Sequence, residues 1–247
     1  MKKLFIIKIG TTFPALAKRL GDFDQWTADA LDSVDVELAV VDAEHGAPLP
    51  KEEACAGVII TGSHAMVTDN VSWSVKLEKW LALLLEAQIP IFGICYGHQL
   101  LARTGGGEVG FHPRGKEIGT VSIESLPACA NDPVFQALPK TFLAHVTHLQ
   151  TVLKLPKAAI RLAANAHEPN HAFRLGQCAW GVQFHPEYNV DIMRSYIEEQ
   201  PDKLVSAGLD ISQLLDSVSQ TPIATQLLRK FGNFVADRQA GKGAGRK

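Results

Sequence analysis

The chain has 247 residues, 46% of them hydrophobic and 20% charged, with a formal net charge of −2. That suits one globular domain with a sizeable core, or one domain with an appendage, and it carries no global signal for nucleic acid or an anionic membrane surface. Four cysteines, Cys55, Cys95, Cys129 and Cys178, lack CxxC spacing, which excludes a zinc pattern or a disulfide framework and fits a reducing, cytoplasmic setting.

The apolar stretch near the N-terminus is short and interrupted by Lys8, and no small-residue cleavage site follows, so a signal peptide is not expected. No run of 18 apolar residues occurs, which leaves nothing to span a membrane as a helix. Residues 3–9 read instead as a first buried strand, turned by Gly10, with Pro14 opening a helix to about Leu20. Residues 34–41 and 57–61 read as two further strands, the second ending at Gly62-Ser63. Residues 69–88 form the longest helical stretch, where Leu77, Leu81, Leu84 and Leu85 make a core-facing stripe. A strand over 89–94 follows. Strands alternating with helices over the first hundred residues predict a mostly parallel α/β sheet flanked by helices.

The second half changes character. Residues 108–123 read as extended or hairpin structure, and residues 131–137 as one short helix capped by Asn131 or Asp132. Residues 141–146, 159–164, 172–175 and 179–184 are strand candidates, and residues 190–199 are helical. From Gln200 onward helices are expected near 211–218 and 221–236, before a basic, glycine-rich tail at 237–247 expected to be disordered.

Two stretches carry chemistry. Gly93-Ile94-Cys95-Tyr96-Gly97-His98-Gln99 joins a buried strand to a helix. A residue between the two is forced into a tight turn that lifts its side chain above the sheet edge, at the positive end of the helix, where glycines on either side avoid a clash. Free N–H groups there can bind an anion, and a thiol there ionises more easily than a free cysteine. About ninety residues downstream, Gln183-Phe184-His185-Pro186-Glu187 ends another strand. Pro186 stops the ladder and carries Glu187 back beside the imidazole. A thiol nucleophile needs a base, and the imidazolium needs a carboxylate to orient it. Cys95, His185 and Glu187 are therefore the candidate catalytic set.

The two motifs together resemble the class I, or triad, glutamine amidotransferases. The likeness runs over roughly residues 3–200 and includes Thr61-Gly62-Ser63 and a segment from His148 to Pro156 whose spacing is similar to the amidotransferase domain of GMP synthase. The resemblance implies a flavodoxin-like core with an added β-segment, and hydrolysis of glutamine to glutamate and ammonia through a γ-glutamyl thioester on Cys95. It implies His185 as base and acid, Glu187 as its orienting partner, backbone N–H groups of Gly62 and Tyr96 as an oxyanion hole, and Gln99 as a residue that helps hold the substrate. No cofactor and no metal are implied.

Two departures matter. Many members carry Asp two residues after the histidine of the middle segment, where this chain has Gln150. No synthetase domain is legible after the triad and no P-loop pattern occurs, so the ammonia acceptor lies on a separate synthase subunit or does not exist. The expected organisation is an amidotransferase domain over 1–199 and a helical extension over 200–236. Leu204, Leu209, Ile211, Leu214, Leu215, Leu227, Leu228 and Phe231 of that extension need burial, on the core or in a homo-oligomer contact. Three functional classes follow: an amidotransferase or glutaminase, a γ-glutamyl peptidase or hydrolase acting on glutathione-like compounds, and a non-catalytic module that keeps the fold. Cys55, Cys129 and Cys178 read as structural thiols. His45, His64, His112, His145, His167 and His171 lack paired ligand spacing.

Overall fold

The computed structural model describes residues 2–244. In chain order it contains β1 (Lys3–Lys8), α1 (Pro14–Leu20), α2 (Phe23–Ala30), β2 (Leu38–Asp42), β3 (Cys55–Ile60), α3 (Ser72–Glu86), β4 (Ile91–Ile94) and α4 (Tyr96–Thr104). There follow β5 (Glu108–Phe111), β6 (Glu117–Ser125), β7 (Thr141–His148), β8 (Gln150–Lys154), β9 (Ala159–Ala164), β10 (Ala172–Leu175) and β11 (Ala179–Val182). The chain ends in α5 (Val190–Glu198), α6 (Pro201–Ser206), α7 (Ile211–Ser217) and α8 (Pro222–Ala244).

Nine strands form one sheet in the order β2-β1-β3-β4-β11-β10-β9-β6-β7. The half from β2 to β11 is parallel, and the pairings from β11 to β7 are antiparallel. Successive side chains on the parallel strands go to opposite faces. Leu4, Ile6, Ile59, Phe92 and Ile94 pack on one face with Trp180, Leu227, Leu228 and Phe231. Ile7, Ile9, Val58, Ile60 and Ile91 pack on the other with Leu77, Leu81, Leu84 and Leu100. A third cluster joins Leu16, Phe23, Trp26, Tyr188, Ile192, Tyr196 and Leu204. It anchors α1, α2, α5 and α6 beside the carboxyl ends of the parallel strands.

Several expectations are corrected. The stretch expected as extended or hairpin over 108–123 does form two strands, but they do not pair with each other: β5 pairs with β8, while β6 pairs with β7 and β9. The turn at Pro113–Gly115 separates them, and the partners come from later in the chain. Residues 131–137 make a single turn. Asp132 does cap it, accepting from the Val134 and Phe135 N–H groups at 3.0 Å, but Ala137 has φ 61°, outside the helical region, and ends it. The second strand begins at Leu38 instead of Val34, because Val34 and Val36 turn in to pack on the core. The long helix starts at Ser72, after Asn70 takes a left-handed φ of 52°.

Helix α2 is unannounced in the reading above, yet its signals are there: Asp22 accepts from the Phe23 N–H at 2.8 Å, and Phe23, Trp26, Thr27 and Ala30 are buried at helical spacing. Asp22 also accepts from the Thr12 N–H at 2.9 Å and pairs with Lys8 at 2.7 Å, which fixes the loop after β1.

The eight hydrophobic residues of the 200–236 stretch expected to need burial are covered, wholly or in part, within the chain itself, while Val205 stays exposed. Leu204, Leu227, Leu228 and Phe231 are fully buried, while Leu209, Ile211, Leu214 and Leu215 pack against the third cluster. Helix α8 continues past 236 to Ala244, since Ala236, Arg238, Gln239 and Ala240 are sound helix formers. Residues 245–247, also expected as disordered tail, lie outside the described residues.

The Phe231 ring lies tilted against Phe92 and edge-on to Trp180, with ring centroids 5.3 and 6.0 Å apart. Phe231→Ala is expected to lower the unfolding free energy by about 3–5 kcal/mol, read as a fall in the urea midpoint at constant slope. A loss below about 1 kcal/mol would mean that α8 is not part of this core.

Candidate active site

The site is built around the junction of β4 and α4. Cys95 sits there with φ 49° and ψ −95°, a conformation that costs a non-glycine residue strain and persists only where its surroundings impose it. Here the imposing contacts are close approaches of backbone. A Cβ at Gly93 would lie 2.4 Å from the Gly97 carbonyl oxygen, and one at Gly97 would lie 2.7 Å from the Ile60 carbonyl oxygen. The Cys95 N–H donates to the Val182 carbonyl at 2.8 Å, which ties the turn to the end of β11.

Because β11 lies beside β4 in parallel, with Val182 opposite Ile94, the chain leaving β11 runs past the thiol. The His185 N–H donates to the His145 carbonyl at 2.8 Å, a single bridge that holds the imidazole against β7. Its Nδ1 lies 2.8 Å from Glu187 Oε1, in hydrogen-bond contact, and its ring stacks on Tyr188 at 4.1 Å. Cys95, His185 and Glu187 are all buried. Burial opposes charge on His185, but the Glu187 carboxylate and the Cys95 sulfur beside it outweigh burial and push its pKa up to about 10. The neighbouring His145 is held neutral, pushed down to about 4 by burial and by His185. A thiol, an imidazolium and an orienting carboxylate in this order are equipped for nucleophilic attack on an acyl carbon.

The other predicted site residues gather at the same place. Tyr96 opens α4, where the first N–H groups have no carbonyl one turn back. Gly62 follows β3; a Cβ there would lie 3.0 Å from His185 Cε1 and 3.8 Å from Cys95 Cβ. Gln99 lines the cavity, and its Nε2 donates to the Gln150 carbonyl at 2.8 Å and to Gln183 Oε1 at 2.9 Å. The Gln150 amide is held by Thr68: its Nε2 donates to Thr68 Oγ1 at 2.6 Å. His98, next to the thiol in sequence, points away from the cavity. It is fully buried against Phe173, and burial pushes it down to about 3.

Above the thiol opens a cavity of about 820 Å³. Ser63, His64 and Tyr188 line its side near β3 and α5, His148 and Gln150 the side near β7 and β8, and Lys203 and Leu209 the side formed by α6 and the loop after it. Two contributors were not legible as site residues. His64 reaches Tyr196 Oη at 3.1 Å, and His148 contacts Glu117 Oε2 at 2.9 Å and the Gln150 carbonyl at 3.1 Å. Glu117 is buried and also accepts from Asn165 at 2.8 Å. Burial works against its charge, yet hydrogen bonds from His148 and His171 hold its carboxyl well below the usual range. The pairing of Glu117 with His148 has no local sequence signal. Among the described residues, no group of three or more His, Cys, Asp or Glu side chains is arranged to hold a metal ion.

Residues 20–200 match the family described as glutamine amidotransferase class-I. The chain belongs to the class-I glutamine amidotransferases. It is 32% identical over 186 residues to a GMP synthase [glutamine-hydrolyzing] of Aeropyrum pernix, a match covering 71% of this chain and 33% of that protein. It is 30% identical over 167 residues to gamma-glutamyl peptidase 5 of Arabidopsis thaliana, covering 67% of this chain and 65% of the relative. The matched region thus spans about a third of the synthase and just under two thirds of the peptidase. A glutamine amidotransferase from Thermotoga maritima superposes with a TM-score of 0.77 at 23% identity, covering 96% of this chain and all of that one. Another, from Methylobacillus flagellatus, gives 0.74 at 22% identity, with 98% and 95% covered. These amidotransferase structures share the mostly parallel, flavodoxin-like sheet flanked by helices.

The other thiols of this amidotransferase differ sharply from Cys95 in setting. Burial pushes Cys55 and Cys129 up to about 11, and Cys178 is buried with its thiol directed at the Gln88 carbonyl, 3.2 Å away. A glutamine-mimicking electrophile at pH 7 is expected to label Cys95 at least tenfold faster than any of these three, by peptide mapping. Equal labelling would remove the argument from the strained turn.

Proposed function

We propose that the chain hydrolyses γ-glutamyl amides, with glutamine as the simplest substrate, through a thioester on Cys95. The observation that carries this is the convergence of a strained Cys95 turn with a His185–Glu187 pair at 2.8 Å just past the end of the neighbouring parallel strand.

The Cys95 thiolate attacks the γ-carbonyl carbon. The carbonyl electron pair moves to oxygen, which the Gly62 and Tyr96 N–H groups receive; such donors contribute roughly 3–4 kcal/mol each to the transition state. His185 Nε2 gives its proton to the departing nitrogen as the C–N bond breaks, releasing ammonia and leaving the γ-glutamyl thioester. The imidazole then takes a proton from water as the water oxygen attacks the thioester carbon. The C–S bond breaks, glutamate leaves, and the thiolate–imidazolium pair is restored. Glu187 keeps Nδ1 protonated and Nε2 facing the chemistry throughout. Gln99 braces the Gln150 backbone on the substrate side.

The catalytic part is assigned to residues 1–199, and the 200–236 extension adds a wall to the cavity through α6. Likeness to a GMP synthase [glutamine-hydrolyzing], 33% of which is matched, supports a role in which the released ammonia passes on to a synthase. A second reading, cleavage of γ-glutamyl peptides, is favoured by cavity size. About 820 Å³ lies high in the range of small-molecule pockets, about 300–1,000 Å³, and a single amino acid fills a minor part of it.

Cys95→Ala is expected to abolish ammonia release from glutamine. His185→Ala should cost about 10²–10⁴-fold or more in kcat, because base and acid are the same group. Glu187→Gln should cost less, since it changes orientation and charge but leaves the proton carrier. Wild-type activity in Glu187→Gln would remove Glu187 from the triad.

Charge on the Cys95 sulfur is one cause of the raised His185 pKa. In Cys95→Ala the His185 ring should therefore titrate below its value of about 10 in the intact protein, followed by NMR of the ring protons. An unchanged titration would show that the two groups are not paired.

A further inference from the structure

We infer that the cavity carries a second subsite, a cationic wall formed by Arg114, Lys116 and Lys203, that holds a carboxylate on the amine side of a γ-glutamyl substrate. This deepens the proposed function and rests on it: the glutamyl half is the acyl group already described, and the new claim concerns the leaving group.

The wall is assembled from two places. Arg114 and Lys116 come from the segment between β5 and β6, and Lys203 from α6; all three line the cavity. Lys116 is half-buried, while Arg114 and Lys203 stand exposed at the rim. Among the described residues none of the three makes an ion pair. The Lys116 ammonium donates only to the Gln200 amide oxygen, at 2.9 Å. Asp202, exposed on α6, is the one acidic side chain on the lining. Like charges facing one cavity repel each other, and Lys116, the half-buried one, also loses hydration, so an anion entering between them relieves both costs.

The position relative to the chemistry decides which end of the substrate this is. The Lys116 ammonium donates to Gln200 Oε1 at 2.9 Å, Gln200 Nε2 donates to the Tyr196 carbonyl at 2.8 Å, and Tyr196 Oη lies 3.1 Å from His64 Nε2; burial pulls Lys116 below its usual range. His64 is lowered by burial, by His185 and by both lysines, with Asp22 acting the other way. Lys116, and Lys203 three residues after Gln200, therefore gather on the side of His64, Tyr196 and Tyr188, the last of which stacks on the His185 ring at 4.1 Å. Gln99 and Gln150 line the cavity where α4 meets β8, braced on Thr68 and Gln183. His185 must deliver its proton to the leaving nitrogen, so the leaving group points toward His185 and the cationic wall beyond it. An ammonia leaving group has nothing to place there. An amino acid or short peptide joined through its amine to the γ-carboxyl places its own carboxylate there.

The test compares γ-glutamylglycine with γ-glutamylethylamide, which lacks the amine-side carboxylate, and with L-glutamine. For the full chain, kcat/KM on γ-glutamylglycine is expected to exceed that on the ethylamide by tenfold or more. Lys203→Met, an exposed change, and the double variant Lys116→Met/Lys203→Met should shrink that ratio, the double variant to near one. A ratio near one in the unaltered chain would overturn the proposal. So would an equal proportional loss on all three substrates, which would assign the cations to the carboxylate of the glutamyl half. Calorimetry with Cys95→Ala separates the subsite from the chemistry. Tighter binding of γ-glutamylglycine than of the ethylamide, lost in the lysine variants, supports the subsite even if no compound is turned over, a result that would sink the thioester reading instead. Equal affinities for the two compounds would sink the subsite.

Discussion

Everything at the site depends on how closely three backbones approach at the end of β4. The chain must reverse from strand to helix while lying against β3 on one side and β11 on the other. Gly93 and Gly97 make that approach sterically possible, and the N–H of Cys95 on the Val182 carbonyl fixes it. The side chain between them then has nowhere to go but outward, over the carboxyl ends of the parallel strands, where sites in open α/β sheets form. The strain at Cys95 is held by packing on both faces of the sheet, which explains why so much of the chain is devoted to burying β3, β4 and β11 completely.

Electrostatics is layered onto that frame. The imidazole of His185 is enclosed by Glu187, Tyr188 and the β7 backbone, with little water to screen its charge, so each neighbour counts heavily. A second buried acid–histidine pair, Glu117 with His148, stands a short way along the same cavity wall. Its hydrogen bonds reach the Gln150 carbonyl, the same oxygen that Gln99 grips. The wall that faces the substrate is thus held by a connected network that is almost wholly out of solvent, and such networks are rigid when satisfied.

The parts legible in the sequence are those written in local pattern. The strand–turn–helix around Cys95 and the strand ending at His185-Pro186-Glu187 each declare themselves within a dozen residues, and the parallel half of the sheet follows from apolar runs separated by helical periodicity. What stayed hidden is non-local. Nothing near Glu108 or Glu117 reveals that their strands seek partners beyond residue 140, because that choice is made by which edges remain free. His64 looks ordinary until Tyr196, far away in the chain, is brought beside it, and His148, though it opens a family-like segment, gives no sign of its pairing with Glu117. Helix α2 is a different case: its cap at Asp22 and its buried stripe were readable, and the short turn-rich setting masked them.

Helix α6 joins the rest of the molecule by a narrow footing. Leu204 is its buried residue, while Asp202, Lys203 and Ser206 reach the cavity from an otherwise exposed surface. Substitutions there alter the far wall of the cavity without entering the packed layers that hold the thiol and imidazole. Under the proposed function, which compound is accepted and how the bond is broken are therefore set by separate stretches of chain. A change of substrate at α6 then leaves the Cys95 turn untouched.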